Sequence, residues 1–374
     1  MSHENNHPAS FQRRAIIKFG GLAASLGLGG SAFAQGFCRD GYGQARCPLS
    51  REAATAPIQP VFAPTSWKTT ALESITFEME DYKKEAAFYI ALLGWKLRVD
   101  DGKKAVLDIG EWGSAVFRQA TRDTYTVQPL EGRRVAVSGF AFVIDQWNAK
   151  RVAAELQKRG LRPIAENRGK FESFFVKDPD GWDLQICNGF GLAHARRTMA
   201  SAKLIEPLPF SSTGWQTVWL DHISFRVSNY KESASFYSNL MGWTPSYDEG
   251  SQNELLVGDV GDILVRGGNP FVSTPAAPRK AVLDHISFGI SPWDVDGVRA
   301  ALLARGLTAS TDTSSAHLGP DGKYLNDDIH QAAFQSYHTK SPNGFNLQIS
   351  WMTKDKRLAL ATAVKPKALL PSSD

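Results

Sequence analysis

The hexapeptide Leu-Asp-His-Ile-Ser-Phe occurs twice in this chain, at residues 220–225 and 283–288, and it sets His222 and His285 sixty-three residues apart. Each copy alternates polar and apolar residues as a half-buried strand does. With a side-chain period of two, His222, Ser224 and Arg226 share one face, and Ile223, Phe225 and Val227 share the other. The apolar face must meet the helices, so His222 points into a cleft. By the same count His285 and Ser287 do so from a second strand. Another sixty-three residues on, Asn346, Gln348 and Ser350 form the polar face of a third strand whose Leu347, Ile349 and Trp351 go to the core. Two identical, inward-facing imidazoles are ill suited to an apolar core, and imidazole is the side chain that titrates near neutrality.

The elements that must position these residues come from an internal repeat. Residues 68–190 lie over residues 216–352: the run LESITFEMEDYKKEAAFYIALLGWKL matches LDHISFRVSNYKESASFYSNLMGWTP. Phe88-Tyr89 and Gly94-Trp95 recur as Phe236-Tyr237 and Gly242-Trp243, and DPDGWDLQIC recurs as SPNGFNLQIS. Periodicity in each copy reads strand, helix, short strands around glycine turns, and then the same again. The expected fold is α+β: two tandem modules, each of paired β-α-β-β-β units forming a curved mixed sheet around a cleft. First, fifth and eighth strands would stand close together there. Trp95 and Trp243 end equivalent helices and are read as core.

The repeat, the FY..L.GW helix ends and the DPDG...Q and SPNG...Q hairpins resemble the vicinal-oxygen-chelate superfamily, which includes glyoxalases, bleomycin-resistance proteins and extradiol ring-cleaving dioxygenases. One scaffold there hosts many chemistries. The resemblance implies that His222, His285 and Gln348 are metal ligands, with Fe(II) or Mn(II) as the metal. The superfamily's usual third ligand is a glutamate. Gln348 departs from it, because an amide oxygen can bind a metal but adds no charge. The equivalents in the first copy are Ser74, Gly139 and Gln185, so that copy is expected to be a structural partner without a metal. Gln185 also leaves Gln348 open to a second role, as a cleft-lining hydrogen-bonder.

The second copy is 17 residues longer before its last hairpin. The stretch from His330 through Tyr337-His338 to Gln348 is similar to the extradiol signature, with His338 where that signature has Tyr. The similarity implies that His330 lines the pocket and that His330 and His338 move protons at neutral pH. Tyr337, one residue out of register, would replace the missing hydroxyl if the strand bulges. His317, in a glycine-rich loop, is a further histidine of this insert. Arg226 and Arg266 either face the cleft and bind an anionic substrate or form surface ion pairs.

The whole chain has 374 residues, 43% hydrophobic and 21% charged, with a net charge of +4. That composition fits a globular protein, and no run of Lys or Arg makes a nucleic-acid patch. No nucleophile motif, phosphate loop or dinucleotide fingerprint is present. Residues 1–34 read as an export signal: Arg13-Arg14 precede a glycine-broken apolar segment that ends in Ala32-Phe33-Ala34, and RRAIIK resembles a twin-arginine motif. The expectations are handling by the twin-arginine machinery, a periplasmic or secreted product, and no membrane anchor after cleavage. Residues 35–67 form an arm in which Cys38 and Cys47 either close a small disulfide or stay free. Residues 191–215 are a linker and 353–374 a tail. The expected partner is a small aromatic or vicinal-diol substrate, and homo-oligomerisation is left open. Two other readings stand beside a ring-cleaving dioxygenase: a glyoxalase-like lyase or isomerase, and a non-catalytic protein that binds a small molecule.

Overall fold

A computed structural model describes residues 56–120, 134–191, 206–248, 252–267, 282–313 and 335–350. The segment read as an export signal (residues 1–34), Cys38, Cys47, His317, His330, Trp351 and the tail lie outside the described residues.

The first module runs β1 (Thr69–Met79), α1 (Tyr82–Leu93), β2 (Lys96–Asp100), β3 (Lys104–Asp108), β4 (Ser114–Gln119), β5 (Val135–Ile144), α2 (Ala149–Lys158), β6 (Ile164–Arg168), β7 (Phe171–Lys177) and β8 (Asp183–Cys187). The second repeats it: β9 (Gln216–Arg226), α3 (Tyr230–Met241), β10 (Thr244–Asp248), β11 (Gln252–Leu256), β12 (Asp262–Arg266), β13 (Val282–Ser291), α4 (Val295–Leu303), β14 (Ser310–Thr313), β15 (Gln335–Lys340) and β16 (Asn346–Ser350). Each module is one eight-stranded mixed sheet, in the orders β2-β3-β4-β1-β5-β8-β7-β6 and β10-β11-β12-β9-β13-β16-β15-β14. First, fifth and eighth strands are therefore adjacent in both. β9 runs antiparallel to β13, which runs parallel to β16. Among the described residues no helix is long and apolar enough to cross a membrane.

Local sequence explains the helix ends. Asp81 and Asn229 cap α1 and α3 by accepting from the backbone N–H groups of Lys84 and Glu232. Gly94 and Gly242 end the same helices in the left-handed conformation, at φ of 67° and 70°. At Gly94 a side chain is excluded twice, since a Cβ there would stand 2.5 Å from the carbonyl oxygen of Trp215, the residue that leads into β9 of the other module.

That contact belongs to a reciprocal seam. Trp95 Nε1 donates to Thr217 Oγ1 at 2.9 Å, and Trp243 Nε1 donates to Thr69 Oγ1 at 2.8 Å. Both tryptophans are core residues, as expected, but their N–H groups bond across the seam. Trp95 also meets Phe288 edge-on, and Phe142 meets Trp243 in the same way, so one apolar core runs through both modules.

The two proline-containing hairpin turns complete the seam by reaching the opposite module's first helix. Asn343 of the second module's turn binds Glu85, which is fully buried in α1. Asp178 and Asp180 of the first module's turn bind Tyr237 and Ser228. Burial and then the charge of Asp180 push the Asp178 carboxyl up to about 7, against hydrogen bonds from Trp182, Tyr237 and Asp180.

Between about pH 4 and pH 7 the folded chain therefore keeps a proton on Asp178 that the unfolded chain has lost. This site's contribution to stability falls as pH rises through that window, by up to about 4 kcal/mol. Asp178→Asn removes the dependence while keeping the oxygen that accepts from Trp182 and Asp180. Urea unfolding at pH 5 and pH 8 should show the variant gaining several kcal/mol relative to wild type at the higher pH. An equal difference at both pH values would contradict the assignment.

Candidate metal centre

β9 and β13 bring the two repeated histidines together. The Nε2 atoms of His222 and His285 are 3.0 Å apart, and their rings are nearly perpendicular. The side chains are buried, at 2% and 5% exposure. The apolar partners Ile223, Phe225 and Ile286 lie in the core on the opposite face, as the two-residue period requires.

The distal nitrogens have equally defined partners. His222 Nδ1 is 3.1 Å from Asp221 Oδ2, which also accepts from Ser287 Oγ at 2.8 Å. His285 Nδ1 is 2.7 Å from Asp284 Oδ2. A residue next to a histidine in a regular strand points to the other face, so these contacts need an irregularity. Two β-bulges supply it. The β9–β13 register passes from Leu283↔Phe225 to His285↔Ser224, and from Ser287↔His222 to Phe288↔Leu220, leaving Asp284 and Asp221 as the extra residues.

An ionised carboxylate can only accept, so each Nδ1 carries a proton, and a ring with no second proton presents its lone pair at Nε2. Two such lone pairs facing each other at 3.0 Å call for a cation between them. Two nitrogens each about 2.1 Å from one divalent ion, at right angles to each other, are about 3 Å apart. The pair thus fits a metal ion through its separation as well as through its tautomers. Burial pushes the His285 imidazole down to about 3, with His222 and His338 adding to the effect against the bond to Asp284. That ring is neutral, and so able to ligate, across the physiological range.

Of the two roles left open for the arginines, the structure shows the ion pair. Arg266 and Arg226 both reach Asp284, Arg226 at 3.1 Å. They hold the carboxylate that orients His285, so neither is directed at a substrate anion. Burial works against the Asp284 charge, but the bond to His285 and the charges of Arg266 and Arg226 outweigh it and hold the carboxyl well below its ordinary value.

Of the other expected residues, His338 is at the site: its ring meets that of His285 edge-on at 5.0 Å between centroids, and its Nδ1 is 2.9 Å from Asn346 Oδ1. Gln348 is the strand partner of His338 and is fully buried. Its amide nitrogen donates to Ser336 Oγ at 2.7 Å. Gln185 makes the matching bond to Ser173 in the first module, so this anchoring is a property of the fold. Tyr337 is a correction. It is the strand partner of Ile349, lies in the core and stacks on Trp293. No bulge turns it toward the histidines, and its hydroxyl is not brought to the site. Among the described residues, no three His, Cys, Asp or Glu side chains gather as a metal-binding group; a third donor from this set would be the amide of Gln348.

Sequence reasoning missed three carboxylates. Asp221 and Asp284 were visible as the repeated Asp before each His. The third is Asp262 on β12, the strand that also carries Arg266. It is the direct partner of His222 and is buried. Burial and then the charge of Asp221 push its carboxyl well above the ordinary value.

Residues 72–186 match the family model described as the Glyoxalase/Bleomycin resistance protein/Dioxygenase superfamily. The match falls on the module without the histidine pair. Among solved structures, the Mn(II)-bound glyoxalase from Novosphingobium aromaticivorans is 15% identical, with 76% of this chain and 82% of that one covered and a TM-score of 0.52. The 2,3-dioxygenase LapB from Pseudomonas sp. KL28 is also 15% identical, with 76% of this chain and 92% of that one covered and a TM-score of 0.51. No curated protein sequence matches this chain. At such identities these likenesses speak for the fold. Residues 72–186 are thus similar to the glyoxalase/bleomycin resistance protein/dioxygenase superfamily, and the chain folds as two tandem modules of one topology.

Proposed function

We propose that the second module holds a divalent metal, Fe(II) or Mn(II), between His222 and His285, and that the protein is an exported extradiol-dioxygenase-like enzyme. Its substrate would be a catechol or another small molecule with two neighbouring oxygen donors. The observation that carries this reading is the pair of Nε2 atoms 3.0 Å apart, each on a ring whose other nitrogen is held by a carboxylate. When bound, a divalent ion supplies Lewis-acid chemistry, favouring the ionised form of a chelating diol, and in ring-cleaving chemistry it also engages oxygen.

The chain's own residues do the rest. Asp221 and Asp284 fix the tautomer and aim of each imidazole, which keeps the donor atoms in place without reorganisation. Gln348, as a neutral third ligand, leaves the ion's double charge uncompensated, and this favours a dianionic chelating substrate. His338, beside His285, is placed to take the proton that a substrate hydroxyl loses, and His330 is the second candidate for proton movement. The twin-arginine-like signal is the basis for proposing a periplasmic or secreted location.

A second reading rests on Asp262. A carboxyl group opposite His222 gives the cleft the acid or base that a glyoxalase-like lyase or isomerase needs, and such an enzyme works without oxygen. Anaerobically purified protein loaded with Fe(II) or Mn(II) should consume oxygen on addition of catechols and form a ring-opened chromophore. Loss of substrate under strict anaerobiosis would instead support the lyase. Binding of catechol without metal and without turnover would support a sequestering protein.

A further inference from the structure

The first module has a cavity where the second has its histidines. It measures about 490 Å3, within the range of small-molecule sites, and strands β1 to β8 supply most of its lining. Its origin is legible residue by residue. Ser74 pairs with Ala141 in the register in which His222 pairs with Ser287, and Gly139 stands at the position of His285. Two imidazoles are thus replaced by a hydroxymethyl group and a hydrogen.

The bulge that turns Asp221 toward His222 recurs at Glu73, between the pairs Leu72↔Phe142 and Ser74↔Ala141. In the second module that carboxylate is occupied by a histidine. In the first no imidazole is present to receive it, and Glu73 lines the cavity beside Ser74 and Gln185. Arg98 approaches from β2. It pairs with Asp108 and donates to Ser114 Oγ at 3.1 Å, while its Nε, buried, has no acceptor among the described residues. Phe171, Phe175 and Val106 add apolar wall.

Four basic and four acidic side chains line the space. A lining with both signs in equal number favours neither a simple anion nor a simple cation. It suits a molecule that carries both charges at once. We propose that the first module is a second binding site, for a small zwitterion whose ammonium meets Glu73, whose carboxylate meets Arg98, and whose apolar part lies against Phe171 and Phe175. This proposal is independent of the metal reading, because none of these residues belongs to the histidine cluster.

Three probes with a common aromatic body separate the possibilities: phenylalanine, 3-phenylpropionate and phenethylamine, titrated calorimetrically into the full-length chain. The expected result is binding of phenylalanine at least about tenfold tighter than either single-charge analogue. Glu73→Gln and Arg98→Gln should each weaken it by a similar factor, and His222→Ala should leave it unchanged. Val106→Trp, which fills the cavity from a half-buried position without removing a charge, should abolish it while circular dichroism stays that of wild type. Binding of none of the three probes would overturn the proposal. So would an analogue binding as tightly as phenylalanine, or loss of binding in His222→Ala.

Discussion

Asp284→Asn lowers the affinity of the second module for a divalent ion by about 10- to 100-fold and leaves the fold intact. Asp284 is the junction of the site: one oxygen receives His285 Nδ1 and Arg266, and the other receives Arg226. Asparagine keeps the shape and one acceptor oxygen, so His285 can retain its tautomer. It loses the charge that makes the His285 lone pair more basic, and it turns an amide N–H toward a guanidinium, where two donors meet. The ring then loses both orientation and donor strength. Anaerobic competition with a chromophoric chelator measures the change, and unfolding in urea checks that structure is retained. Unaltered affinity would mean that Asp284 supports the strands and not the ligand.

The second large effect is on stability. Asn343→Ala should lower the free energy of unfolding by about 3 kcal/mol, because it removes the side-chain donor to a buried carboxyl group and both side-chain bonds to the Asp81 backbone, keeping only its own backbone N–H. Asn343 gives Glu85 Oε2 two hydrogen bonds, from its backbone at 3.1 Å and its side chain at 2.8 Å. The same side chain donates to Asp81 O and accepts from Asp81 N at the start of α1. Burial pushes the Glu85 carboxyl above its ordinary value even with these partners present, so their loss is felt directly. Urea denaturation measures it. A change below about 1 kcal/mol would show that the seam rests on its aromatic contacts and not on this turn.

Most of the fold was legible because its signal is periodic and repeated. Alternation placed His222 and Ser224 opposite Ile223 and Phe225, and the repeat placed Ser74 under His222 and Gly139 under His285. Both hold in the strand registers. What the sequence hid lies where period two fails. A bulge adds one residue, so Asp221 and Asp284 turn to the same side as the histidines they precede, and simple alternation assigns them elsewhere. Tyr337 was open to the opposite error: a bulge was invoked for it, and β15 pairs regularly through it with β16. For Arg226 and Arg266 the sequence left substrate binding and ion pairing both open, because Asp284, the partner they pair with, reaches that face only through its bulge. The seam was hidden for another reason. Aligning two copies shows what is equivalent, but not that each proline turn grips the other copy's helix.

The central claim is that the two facing imidazoles share one metal ion, and metal content tests it most directly. Full-length protein, residues 1–34 included, purified anaerobically should carry about one equivalent of iron or manganese. His222→Ala and His285→Ala should each lose it, whereas Ser74→Ala, at the matching position of the first module, should keep it. Metal-free wild-type protein that takes up neither ion on reconstitution, or histidine variants that bind as much metal as wild type, would contradict the account.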